Sequence, residues 1–148
     1  MSQQIVIFED EYFDREHISQ LIGKRFPKFG MRLLGTEAEF HSVFPELCED
    51  VPVLVMLGMR AKWTHPAPEM PEPPAEVLAG TYREAGLRCW RMLRQNPNTS
   101  RVPVIFWTTI DETGTGKEAL TDPLTTFVEM DVHDDRIVSA VGRALRKA

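Results

Sequence analysis

The sequence predicts a doubly wound α/β fold, a five-stranded parallel sheet with helices on both faces, and two observations carry that prediction. Short apolar, β-branched runs recur along the chain: IVIF at 5–8, VLVML at 53–57, VIFW at 104–107, and Phe127-Val128 with the threonines before them. Runs of this length, bounded by polar residues, suit strands buried on both faces of a parallel sheet. Helical patterns separate them, and strand alternating with helix implies right-handed crossovers in one sheet.

The elements follow in order. After the first run, Ile18, Leu21, Ile22 and Phe26 recur at helical spacing behind Asp14, a candidate N-cap. Residues 31–34 make a weaker strand. Thr36 and Glu39 form a capping box ahead of Phe40, Val43, Phe44 and Leu47, which marks a second helix. Past the 53–57 strand, a third helix is expected over 82–94, ending at Asn96-Pro97. The stretch 117–124 contains Pro123, which leaves room for a short helix at most. A last helix places Ile137, Val138, Val141 and Leu145 on one face behind Asp134 and Asp135, acids that suit a helix N-terminus.

Bulk properties narrow the function. With 148 residues, 43% hydrophobic and 26% charged, the chain reads as one soluble globular domain over 1–148, too short for a further effector domain, so its output is expected to pass through a partner. A net charge of −5 argues against binding the phosphate backbone of nucleic acid. No basic stretch precedes the short N-terminal apolar run and no segment is long enough to span a bilayer, so a cytoplasmic location without a membrane partner is expected. Cys48 and Cys89 then read as reduced thiols filling helical core positions.

In doubly wound sheets, function gathers at the carboxyl ends of the strands. That rule selects Glu9, Asp10 and Glu11; Gly58, Met59 and Arg60; Thr108 and Thr109; and Glu129, Met130 and Asp131. The order of these features, with IVIFEDE opening the chain, VPVLVML in its middle and GLRCWRMLRQNPNTSRVPVIFWTT leading to Thr108, resembles a bacterial response-regulator receiver domain over nearly the whole chain except 61–82.

The resemblance implies a flavodoxin-like fold and a particular chemistry. Receivers use an acidic pair that holds Mg²⁺, an aspartate that accepts a phosphoryl group, a backbone carbonyl on the metal, a hydroxyl residue and a lysine. Glu9 and Asp10 match the acidic pair and Thr108 the hydroxyl. Gly58 stands at the acceptor position, and a glycine has no side chain with which to form an acyl phosphate. Met130 stands at the lysine position, and residues 127–135 contain no lysine. With Asp10, Glu9 and the Arg60 carbonyl as its metal set, the site implies at most weak Mg²⁺ binding and requires no cofactor. Arg60 or Lys62 is expected to reach the acids as a built-in cation.

Residues 61–82, AKWTHPAPEMPEPPAEVLAGTY, depart from the family pattern. Their prolines favour polyproline II and argue against a helix. So long a connection is commonly functional, and Trp63 argues for partial packing. The segment is expected to cover the site or to offer a Pro-rich strip to an aromatic-lined groove.

Other signals are weaker. The GTGK stretch at 114–117 lacks a glycine at Asp111 and a hydroxyl at Glu118, which a phosphate-binding loop requires. The histidines at 17, 41, 65 and 133 lack metal-ligand spacing. No nucleophile elbow or dinucleotide fingerprint is present. The expected function is a non-enzymatic, unphosphorylated pseudo-receiver in a bacterial signalling pathway. It would act by binding a protein partner, or as a homodimer through its fourth and fifth helical region. The alternative is a small-ligand binder using the acidic pocket.

Overall fold

The computed structural model of the chain describes residues 3–66, 68–108, 117–129 and 133–147, the side chains of Thr108 and Lys147 excepted. Five parallel strands, β1 Gln4–Phe8, β2 Gly30–Leu34, β3 Leu54–Leu57, β4 Val104–Thr108 and β5 Thr125–Glu129, form one sheet in the order β2-β1-β3-β4-β5. The helices are α1 Tyr12–Arg25, α2 Glu37–Glu49, α3 Ala75–Ala79, α4 Ala85–Gln95, α5 Lys117–Leu120 and α6 Asp134–Lys147, with a 3₁₀ turn at Tyr82–Glu84 before α4. The order reverses direction between β1 and β3, which creates a crevice at their carboxyl ends.

Strand side chains alternate between two cores. Val6, Phe8, Val55, Leu57, Val104 and Phe106 meet α2 and α4, together with Ala119 of α5. Ile5, Ile7, Leu54, Met56, Ile105 and Trp107 meet α1 and α6. Both faces being covered is why the strands read as continuous apolar runs. Cys89 is fully buried in α4 and Cys48 is half-buried in α2.

Three local expectations are corrected. The N-cap of α1 is Glu11, whose carboxylate accepts from the Phe13 amide at 3.1 Å, so the helix begins ahead of Asp14. A helix does form inside 61–82: the prolines stop at Pro74, which caps α3, and the sequence AEVLA that follows holds good helix formers. The helix expected over 82–94 opens as a 3₁₀ turn and becomes α-helical at Ala85. At α2, Thr36 Oγ1 accepts from the Glu39 amide at 3.2 Å as expected of the capping box, while Glu39 reaches back to the Gly35 amide. Pro45 lies inside α2 without ending it.

Among the described residues, no helix is long and apolar enough to cross a membrane.

Candidate functional site

Glu9 and Gly58 become neighbours through strand register. Phe8 of β1 lies opposite Leu57 of β3, so the residues that follow sit side by side at the crevice. Pairing continues past both strands: the Gly58 amide donates to the Phe8 carbonyl at 2.7 Å and the Glu9 amide to the Leu34 carbonyl at 3.0 Å.

The Glu9 carboxyl lies over Gly58. A methyl group at position 58 would stand 2.5 Å from Glu9 Oε2 and 3.3 Å from the Phe8 carbonyl oxygen, so the space a side chain at 58 would enter is held by Glu9. Glu9 is only 5% exposed, and its other oxygen accepts from the Glu11 amide at 3.1 Å. Burial, joined by the neighbouring Asp10 carboxylate, outweighs that hydrogen bond and pushes the Glu9 carboxyl up to about 8, so at neutral pH it is mostly an uncharged acid.

A second close approach lies behind Gly58. The Gly86 amide, at the start of α4, donates to the Met59 carbonyl at 2.8 Å. A methyl group on Gly86 would fall 2.1 Å from the Gly58 carbonyl oxygen and 2.9 Å from Met59 Cα. Backbone packs directly on backbone here, and only glycine permits it. Met59 and Ala61 are buried while Arg60 is exposed.

Arg60 and Lys62 do not act as the cation expected beside the acids. The described ion pairs include neither, and the Lys62 carbonyl instead accepts from the Glu37 amide at 2.9 Å. The guanidinium that reaches this corner is that of Arg15 on α1, whose Nη1 donates to the Glu9 carbonyl oxygen at 2.7 Å. Sequence reading missed Arg15 because its link to Glu9 is a backbone contact across one helical turn.

Thr108 ends β4 opposite Glu129 of β5. Met130 lies outside the described residues, as do Thr109, Asp131 and residues 114–116 of the GTGK stretch. Among the described residues, no group of three or more His, Cys, Asp or Glu side chains gathers closely enough to hold a metal ion.

The segment 61–82 leaves this corner through a neck in which the Ala61 amide donates to the Tyr82 carbonyl at 3.0 Å. Its first residues cross the N-terminus of α2, where the Lys62 and Trp63 carbonyls accept from the Glu37 and Ala38 amides. These amides are among the donors a helix start leaves unpaired. Trp63 is half-buried, edge-on to His41 of α2 at 5.1 Å, and its indole N–H donates to the Pro71 carbonyl at 2.8 Å. Beneath it, Glu37 is fully buried and accepts two hydrogen bonds from Arg88 of α4, at 2.8 and 2.7 Å. Burial pushes the Glu37 carboxyl up, but the Arg88 hydrogen bonds outweigh it and hold it below the usual carboxylate range. Sequence reading missed this pair because an acid just past a helix cap reads as solvated.

The sheet order, the acids after β1 and the crevice between β1 and β3 define a flavodoxin-like architecture of the receiver type. No family profile matches the chain, and no curated protein sequence does. Solved structures match closely in shape. The chain is similar to a signal receiver domain of a two-component histidine kinase from Clostridium thermocellum, with 18% identity, 97% of both chains covered and a TM-score of 0.72. It is also similar to the signal receiver domain of a histidine kinase from Syntrophus aciditrophicus, with 20% identity, coverage of 97% of this chain and 89% of that one, and a TM-score of 0.68. A third is the signal receiver domain of a putative Luxo repressor protein from Vibrio parahaemolyticus, with 16% identity, coverage of 99% and 92%, and a TM-score of 0.69. At these identities the shared property is the fold, which is that of signal receiver domains.

Proposed function

We propose that the chain is a receiver-like module of a signalling pathway that works by binding a protein partner and is not itself phosphorylated. The observation that carries this reading is the Glu9 carboxyl over Gly58. The acceptor position has no nucleophile, and the adjoining space is filled by a buried acid from the neighbouring strand. An uncharged Glu9 is also a poor ligand for a hard cation, which leaves Asp10 with little help in holding Mg²⁺.

On this reading the protein is not an enzyme, needs no cofactor, resides in the cytoplasm and binds neither nucleic acid nor membrane. A homodimer would use the region of α5 and α6. The small-ligand alternative loses ground because Glu9 takes up volume beside Gly58 that such a ligand would need.

Beryllofluoride with Mg²⁺ tests the reading, because it mimics a phosphorylated acceptor. Calorimetry is expected to give no stoichiometric, Mg²⁺-dependent binding; a one-to-one complex would overturn it.

A further inference from the structure

The segment 61–82 exposes large apolar side chains to solvent. Met70 is 58% exposed and Leu78 is 69% exposed, with Pro71 exposed between them and Pro74 half-buried. The backbone at Pro74, φ −65° and ψ 166°, is close to polyproline II, and residues 71–74 carry no helix or strand pairing. A polyproline II run over 71–74 turns once every three residues and would put Pro71 and Pro74 on one edge about 9 Å apart. Pro74 passes directly into α3, and Leu78 follows one helical turn later. Charge is one-sided here: Glu69, Glu72 and Glu76 are all exposed and none is in a described ion pair.

One contact within the chain shows which chemistry suits the strip. The Trp63 indole N–H donates to the Pro71 carbonyl while its ring is braced edge-on by His41. A proline carbonyl read by an aromatic N–H is how an aromatic-lined groove engages a Pro-rich ligand. The strip is therefore engaged by the chain's own tryptophan at one carbonyl, with the Pro71 ring exposed and Pro74 partly so.

We propose that Pro71 and Pro74, extended by Leu78, are a docking strip for a partner protein whose groove is lined by aromatic side chains and rimmed by Lys or Arg. The basic rim answers Glu69, Glu72 and Glu76. With Pro74 already in polyproline II and φ fixed at Pro71 and Pro73, the entropy cost of binding stays low. The proposal rests on the protein-binding reading above only in taking the partner to be a protein, and it stands whether or not position 58 is ever phosphorylated.

The test is calorimetry of the full chain against a panel of purified SH3, WW and EVH1-type domains graded by the charge of their groove rims. Binding by basic-rimmed members and not by acidic-rimmed ones is expected. The P71A/P74A double variant should weaken it at least tenfold with an unchanged melting temperature. The W63F variant, which keeps a ring against His41 but frees the Pro71 carbonyl, should tighten it by roughly threefold to tenfold. Absence of binding across the panel at millimolar concentration overturns the proposal, as does binding indifferent to P71A/P74A. Beryllofluoride binding would overturn the unphosphorylated reading and leave the strip untouched, so the two failures are distinguishable.

Discussion

A single methyl group at position 58 would meet the Glu9 carboxyl, and the cost of adding it measures how firmly that carboxyl is held. Gly58→Ala forces Glu9 to give up its place and its Glu11 hydrogen bond, so a loss of about 1–2 kcal/mol is expected by urea denaturation. In a Glu9→Ala background the same substitution should be nearly neutral, giving a coupling of at least ~1 kcal/mol. Additive losses would show that the two residues do not compete for one space. Protonation supplies a second handle. Glu9 rises from 4.5 in the unfolded chain to about 8 when folded, so between those values the unfolded chain releases a proton that the folded one keeps. Its contribution to stability therefore falls as pH rises through that window, by about 1.4 kcal/mol per pH unit at most, and is lost in full above pH 8. Melts from pH 5 to 8 should show this slope, and Glu9→Gln, which cannot titrate, should flatten it. The glycine after the third apolar run was legible from the sequence; that Glu9 fills the space beside it was not, because only strand register brings residues 9 and 58 together.

At the scale of elements, the Glu37–Arg88 pair joins α2 to α4 beneath the Trp63 crossing. Removing one partner leaves the other charge buried and uncompensated, which typically costs 3–5 kcal/mol. Arg88→Met is expected to lower stability by about that amount, and the E37L/R88M double variant to recover much of it, both read from denaturant midpoints. Equal losses in single and double variants would place the effect in packing alone. Element existence was largely legible because apolar periodicity reports burial directly; element starts were less so. Asp14 and Glu11 both offer a capping carboxylate, and the choice fell to the residue whose side chain reaches the Phe13 amide. The prolines of 61–82 dominate the local composition, and α3 escaped notice because it begins one residue after the last of them.

At the scale of the whole molecule, the continuous apolar runs announced a sheet covered on both faces. Ile5 and Ile7 face one core, Val6 and Phe8 the other, as period-two spacing requires. The expected convergence of strand ends was met for Glu9 and Gly58. The buried pair, the Gly86 contact and the path of 61–82 were hidden because each joins residues far apart in sequence through backbone or buried polar groups, which leave no periodic trace. The start of the 61–82 segment is tied to α2, and Gly58 to Glu9 of the neighbouring strand.

The neck between Ala61 and Tyr82 brings the two ends of the intervening segment together through one backbone hydrogen bond. A segment with touching ends is a detachable module: another sequence could be spliced between those residues with little strain on the sheet, since closing a loop between adjacent ends depends only weakly on its length. Excision is a different matter, because the Lys62 and Trp63 carbonyls serve the first amides of α2. A graft that keeps residues 61–63 would preserve α2, whereas a clean deletion would fray it. For the sheet and α2, then, residues 61–63 are the part of the segment that the fold itself requires.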